Sequence, residues 1–178
     1  MLTLLTSISV VVFIAYNQDY RCNFNSTYPV GLYQLNHQPI EHFRGELVLL
    51  CPLNNAFTAS ASYQDIVSDG YCLGGFKPLI QKIIAMTGDR IDIRDDRVFV
   101  NNQEVRQPYS LELPFYSNNT LFTVQNNQFF MISDHHTMGS LDSRDFGPVH
   151  KDNIIASVEP VLILWGDHKP HEEVSEDK

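Results

Sequence analysis

Short apolar runs alternate with polar turn signals over most of this chain. Segments of strand length, either apolar or alternating, lie at residues 28–35, 46–50, 79–86, 91–94, 98–100, 121–124, 128–132 and 154–164. Gly, Pro, Asn and Asp separate them, as at Thr87-Gly88-Asp89 and Asn101-Asn102. Turn signals about every eight to twelve residues are typical of antiparallel sheets, so the pattern predicts a mostly β fold.

Two segments depart from this strand pattern. The run from Leu2 to Tyr16 is apolar, with Thr and Ser as its polar interruptions and no charge. Extended to Gln18, it approaches the lower limit of about 17 residues for a membrane span. We therefore expect an uncleaved N-terminal membrane helix over residues 1–18, with a buried core helix as the alternative. Residues 55–70 are predicted to form one short helix that stops at Gly70.

Composition limits the classes of function. The hydrophobic fraction of 43% is enough for a core, and 178 residues predict one compact domain, over residues 19–165. The tail 166–178 holds five acidic residues among its thirteen and has no apolar period, so we expect a flexible, solvated end. The net charge of −9 argues against a nucleic-acid partner.

The three cysteines are Cys22, Cys51 and Cys72. Cys51 and Cys72 are spaced so that they could close a loop, which would indicate an oxidising compartment; two unrelated buried thiols are the alternative. Cys22 would then be left over, either free or paired between chains.

Metal and cofactor signals are weak. His135 and His136 stand beside Asp134, but adjacent side chains on a strand diverge, and no third ligand has a clear spacing. No glycine-rich phosphate loop occurs in the sequence. We predict neither a metal site nor a cofactor.

The string Ser140-Leu-Asp142-Ser-Arg144-Asp-Phe-Gly-Pro-Val149 places two hydroxyls, a carboxylate and a guanidinium within five residues. Such a cluster can form a buried, hydrogen-bonded network, because a buried charge has to be paired. A surface loop with one local Asp–Arg pair is the alternative.

This string resembles the S-x-D-S-R-x-(W/F)-G motif of type I signal peptidases and of their conjugative-transfer relatives, the TraF-type peptidases. Three further blocks follow that family's order: Asn23 to Tyr33 ending Pro-Val-Gly-Leu-Tyr, Cys72 to Asp89 with its Cys-x-Gly-Gly start, and Val98 to Asn102. Cys51-Pro52 resembles the family's upstream half-cystine, which implies a Cys51–Cys72 disulfide.

The resemblance implies a signal-peptidase-like antiparallel β fold with an N-terminal membrane helix. It implies a location at the bacterial inner membrane, with the globular domain in the periplasm. The implied role is processing or cyclising pilin, or another exported subunit, in a conjugative (type IV secretion) system.

The family uses a Ser–Lys dyad, in which a lysine of lowered pKa takes the proton of the serine hydroxyl. The positions that match the dyad hold Thr27 and Gln81 here, and Ser26 and Lys82 are their immediate neighbours. A glutamine amide cannot accept and release a proton near pH 7. Either a local register change presents Ser26 and Lys82 as a working dyad, or the chain is an inactive structural or pilin-binding relative.

Three residues of the motif would support the site if the resemblance holds. Ser140 would hydrogen-bond the base, and Asp142 and Arg144 would brace the site. We therefore predict that Ser140 and the side chain at position 81 or 82 face one cleft, shared with Ser26 or Thr27.

Overall fold

The computed structural model describes residues 2–24, 28–37, 41–53, 69–94, 97–105, 120–133 and 141–165. Antiparallel strands dominate these ranges, which confirms the mostly β prediction. The helix expected within 55–70 and the tail 166–178 lie outside the described residues, apart from Asp69 and Gly70.

The elements follow the predicted order closely. They are α1 (Leu2–Asn17), β1 (Tyr20–Asn23), β2 (Val30–Asn36), β3 (Leu47–Leu50), β4 (Leu79–Ala85), β5 (Arg90–Arg94), β6 (Arg97–Val100), β7 (Gln103–Glu104), β8 (Thr120–Thr123), β9 (Gln128–Ile132), α2 (Ser143–Phe146), β10 (Val149–His150), a 3₁₀ turn (Lys151–Asn153) and β11 (Ile154–Trp165).

The strands form two sheets. The large sheet has seven strands in the order β1-β2-β11-β3-β4-β9-β10, and the small sheet has four in the order β7-β6-β5-β8. At the centre of the large sheet, Val48 of β3 lies opposite Gln81 of β4, and Leu47 lies opposite Lys82. Side chains that are directly opposite in an antiparallel pair share a face, so Gln81 and Lys82 belong to different faces.

Each face of the large sheet carries an apolar cluster. The inner cluster contains Val48, Leu50, Cys72, Phe76, Leu79, Ile83, Phe129, Met131, Leu141, Phe146 and Val149, all buried. The outer cluster contains buried Tyr33, Ile80 and Val158, with half-buried Tyr28, Leu35, Leu47, Leu49 and Ile163 packed against them. A third cluster fills the space beside the small sheet, around Ile91, Ile93 and Phe130.

Asp89 holds the start of the small sheet in place. Its buried carboxylate accepts hydrogen bonds from the Met86 N–H (2.7 Å), from Asn101 Nδ2 (2.8 Å) and from Arg44. Burial alone would raise the pKa of Asp89, but these donors and the Arg44 charge lower it below its ordinary value. Asn101 and neighbouring Asn102 have φ values of 51° and 69°, which suit the predicted two-residue turn.

Helix α1 confirms the predicted N-terminal helix, and it ends at Asn17, just short of the expected boundary. It runs for 16 residues without a charged side chain. In the part of the chain that the structure describes, no helix has both the length and the apolar character needed to cross a membrane.

The structure contains the predicted disulfide. Cys51 and Cys72 are bonded, with their Cα atoms 5.5 Å apart and a sequence separation of 21 residues. Cys72 belongs to the inner cluster, and Cys51 packs against it. Cys22, on β1, is the free and exposed third cysteine.

Candidate active site

Helix α2 is stabilised by hydrogen bonds from the polar residues at its own N-terminus. Asp142 is the N-cap, where its extended backbone (φ −147°) lets the carboxylate accept the Arg144 N–H at 2.9 Å. The Asp142 N–H donates in return to Asp145 Oδ2 at 2.9 Å, which completes a capping box. Gly147, at φ 90°, ends the helix. This short helix was not predicted from the sequence.

Asp142 and Arg144 form a buried ion pair. Their side chains are 0% and 3% exposed, and Arg144 Nη2 donates to Asp142 Oδ2 at 2.6 Å. Arg144 Nε donates to Asp142 Oδ1 at 2.9 Å. Burial alone would lower the pKa of Arg144, but the hydrogen bonds and charge of Asp142 raise it above its ordinary value. Of the two interpretations of this string, the buried network is the one that the structure contains.

Hydrogen bonds connect the segment that carries this pair to the large sheet, at strand β9 and the residue that follows it. The Ser133 N–H donates to Asp142 Oδ2 at 3.1 Å, and the Met131 N–H donates to Ser143 Oγ at 3.0 Å. Ser143 is fully buried. Sequence reasoning missed this role of Ser143, although its place inside the motif could have indicated it.

Asp145 is the second carboxylate of the motif. Both carboxylate oxygens of Asp142 accept hydrogen bonds from the guanidinium of Arg144. The carboxylate of Asp145 accepts a hydrogen bond from the Asp142 N–H instead. Burial, reinforced by the nearby charge of Asp142, raises the pKa of Asp145 to about 7. This side chain therefore changes charge close to neutral pH.

Gln81 faces the motif. It is 0% exposed, its strand neighbours Leu79 and Ile83 belong to the inner cluster, and its Nε2 donates to the carbonyl oxygen of Leu141. Among the buried side-chain nitrogen and oxygen atoms of the described residues, Gln81 Oε1 is the one that has no hydrogen-bond partner. The residue that the sequence matches to the family's lysine base thus contacts Leu141, which precedes Asp142 in the polar motif.

Lys82 belongs to the other face of β4. It is half-buried and lies opposite Leu47, a member of the outer cluster, on one side and Ile132 of β9 on the other. Strand alternation therefore directs Lys82 away from the side that holds Leu141 and α2. Gln81, rather than Lys82, shares a face with the motif.

Three predicted site residues, Ser26, Thr27 and Ser140, lie outside the described residues, so the shared cleft stays a prediction. The chain resumes at Tyr28, whose ring lies 6.3 Å from that of Tyr33 in an edge-on contact. Tyr33 donates its hydroxyl to the Pro29 carbonyl at 2.7 Å, and burial raises the pKa of Tyr33 to about 12. The His135-His136 pair also lies outside the described residues.

The chain is similar in sequence to signal peptidases and to conjugal transfer proteins. The sequence profile of the family described as signal peptidase, peptidase S26, matches residues 1–165. A plasmid transfer protein TraF from Escherichia coli is 30% identical over 152 residues, which cover 82% of this chain and 83% of that protein. A conjugal transfer protein TraF from Agrobacterium tumefaciens is 28% identical over 161 residues, covering 87% of this chain and 89% of its own.

A crystal structure of a signal peptidase I from Enterococcus faecalis aligns with a TM-score of 0.42 and 15% identity, covering 67% of this chain and 98% of that one. The match of the family profile extends from the first residue to the last residue of β11. This chain belongs to the S26 family of signal peptidases.

Proposed function

We propose that this protein acts in conjugative transfer as a signal-peptidase-like component that has lost its general base. It binds pilin, or another exported subunit of the transfer apparatus, and does not cleave it. The TraF relatives are named as plasmid and conjugal transfer proteins, which supports the transfer context.

The observation that carries the proposal is the position of Gln81. Gln81 stands at the sequence position that the resemblance matches to the dyad lysine, and its buried side chain donates to the carbonyl oxygen of Leu141. Serine-type peptidases need a group that takes the hydroxyl proton, and a carboxamide does not titrate near neutral pH. A hydroxyl from Thr27 or Ser26 beside Gln81 would remain a weak nucleophile.

The retained parts of the site support a binding role. The buried Asp142–Arg144 pair and the capping box fix the backbone of the motif with charge-assisted hydrogen bonds. A rigid motif can hold an extended peptide without performing chemistry on it. The Asp142–Arg144 network therefore serves shape and stability in this account.

The proposed location is the inner membrane, with the β domain in the periplasm. Helix α1 would be the anchor, because it has no charged side chain and most of its exposed side chains are apolar. The Cys51–Cys72 disulfide supports an oxidising compartment on the side of the β domain.

A working Ser26–Lys82 dyad is the second candidate, and one observation favours it. Tyr28, which follows Ser26 and Thr27 in the sequence, packs against the outer cluster, and Ile80 is a buried member of that cluster. Ile80 is two residues before Lys82 on the same strand and so lies on the same face. Tyr28, the described residue next to the candidate hydroxyls in the sequence, therefore packs on the face of Lys82.

The experiment uses the full-length protein in detergent and a peptide that spans the processing site of the pilin from the same transfer system. Calorimetry measures binding, and mass spectrometry of the same mixture measures cleavage or cyclisation. We expect binding with the peptide unchanged. Absence of binding would contradict the binding role; product that is lost in Lys82→Ala and kept in the control Lys77→Ala would establish the second candidate.

A further inference from the structure

The side-chain amide of Gln81 uses only one of its two polar atoms within the protein. Its Nε2 donates to the carbonyl oxygen of Leu141, whereas its Oε1 accepts no hydrogen bond, although the side chain is 0% exposed. Buried polar groups in folded proteins are nearly always paired, and an exception often marks a functional site. Oε1 is therefore an acceptor that is held away from water and lacks a donor.

The side chains next to Gln81 in the described part of the chain are apolar. Val48 lies directly opposite on β3, and Leu79 and Ile83 are the neighbours of Gln81 on the same face of β4. All three belong to the inner cluster, as does Leu141. A buried water molecule needs two to four polar partners, and these side chains supply none. We therefore expect the missing donor on a ligand.

The large sheet limits the direction from which a ligand reaches Oε1. Strand β4 lies between β3 and β9, so both of its edges are already paired. Its opposite face packs against the outer cluster through Ile80. A ligand therefore approaches Gln81 from the side of the motif, alongside Leu141. Because the side chain is fully buried in the free protein, binding has to open this side, and the new hydrogen bond offsets part of that cost.

The chemistry of Oε1 favours a neutral donor. An ammonium group would have to leave water beside a carboxamide that carries no charge, and burial of an unpaired cation is costly. The carboxylate of Asp142 is already paired with Arg144. The amide of Gln81 binds one main-chain group, the carbonyl of Leu141, through its donor. A second main-chain group, the N–H of an extended peptide beside Leu141, matches its acceptor.

We propose that Gln81 Oε1 accepts a hydrogen bond from a main-chain N–H of the bound pilin peptide. A lysine side chain has donors and no acceptor, so the family's residue could not make this bond. The glutamine at this position therefore removes a base and supplies an acceptor for the peptide. This inference rests on the binding role proposed above.

A scan of the peptide backbone tests the assignment with the full-length protein in detergent. Each N–H of the pilin peptide is replaced in turn by an ester oxygen, which removes one donor and leaves the side chains unchanged. Calorimetry measures the binding of each ester to the wild type, to Gln81→Met and to the control Gln103→Met, at an exposed position of β7. Gln81→Leu takes the place of Gln81→Met if thermal melting shows that the methionine variant is unfolded.

We expect one ester to bind the wild type and Gln103→Met about tenfold more weakly than the all-amide peptide, which is the usual effect of losing one neutral hydrogen bond. The same ester and the all-amide peptide should bind Gln81→Met with affinities that agree within about twofold, because the acceptor is then already missing.

The inference would be overturned, and the binding role kept, if every ester bound the wild type as tightly as the all-amide peptide. An ester that loses affinity equally in the wild type and in Gln81→Met would also overturn it, since its N–H would bind elsewhere. Coupling of Gln81→Met to the removal of a serine or threonine hydroxyl from the peptide would assign Oε1 to a side chain and contradict the main-chain assignment. Absence of all-amide binding to the wild type would contradict the binding role itself, and this inference with it.

Discussion

The side-chain amide of Gln81 donates a hydrogen bond to the carbonyl oxygen of Leu141, across a sequence separation of 60 residues. This bond joins the centre of the large sheet to the residue that precedes the Asp142–Arg144 pair. Gln81 is the residue that the sequence resemblance matches to the family's lysine. A change at Gln81 should therefore alter both the free energy of unfolding and the geometry of the candidate site.

Gln81→Glu should destabilise the protein in a pH-dependent way. The carboxylate would face the Leu141 carbonyl without a donor, and burying an unsatisfied charged group costs about 1–3 kcal/mol or more. Burial raises the pKa of the new carboxyl, so stability should be lost as pH rises through and above about 4.3, the unfolded value. Urea unfolding at pH 4 and pH 8 measures the effect. Gln103→Glu, at an exposed position of β7 opposite the apolar Val100, is the control and should change stability little.

Arg144→Met should be among the most damaging single changes. It leaves the Asp142 carboxylate buried without its partner, and breaking a buried pair in this way typically costs about 3–5 kcal/mol. Arg97 is the matched control, because its pair with Glu104 is exposed on both sides and 3.6 Å long, so Arg97→Met should cost less than about 1 kcal/mol. Equal losses in urea unfolding for the two variants would contradict the buried-pair account.

Asp145 should make stability depend on pH near neutrality. The folded state raises the pKa of Asp145 to about 7, whereas an unfolded Asp titrates near 3.9, so folding favours the protonated form. Stability is therefore lost as pH rises between about 4 and about 7, and the loss levels off above that range. Asp145→Asn should remove this dependence and melt above the wild type at pH 8. Parallel melting curves of the two proteins across that range would contradict the assignment.

The Cys51–Cys72 bond should contribute to stability through the loop that it closes. A loop of this length is worth about 3 kcal/mol in the chain-entropy account. Cys51→Ala with Cys72→Ala should lower the free energy of unfolding by that order, whereas Cys22→Ser, at the exposed free thiol, should leave it unchanged. Thiol titration of the unfolded, non-reduced wild type should find one reactive cysteine for each chain.

Most strands were predictable because alternation and turn residues act locally. Strand β4 and the Asn101-Asn102 turn follow directly from such signals. Strand β1 was not predicted, because Tyr20–Asn23 has no clear alternation and becomes a strand by pairing with β2 at the sheet edge. Helix α2 was missed for a similar reason: four residues carry no period, and the helix depends on the Asp142 cap.

The face of the sheet on which Gln81 and Lys82 each lie could be predicted, because side chains alternate along a strand. The separation of Gln81 and Lys82 onto different faces follows from their adjacency on one strand, and the structure places Gln81 under Leu141. The burial of Asp142 and Arg144 could not be decided from the sequence, because the same residues suit a surface loop. It depends on long-range donors such as the Ser133 N–H.

The most direct test of the central claim is product formation from full-length pilin by the purified, membrane-reconstituted protein, followed by intact mass. The account predicts an unchanged pilin mass with the wild type, because Gln81 cannot act as a base. Thr27→Ser combined with Gln81→Lys, which restores the family's residue types at both positions, serves as the matched variant and should be the one that yields product. A shorter or cyclised pilin formed by the wild type, and lost in Lys82→Ala, would contradict the claim.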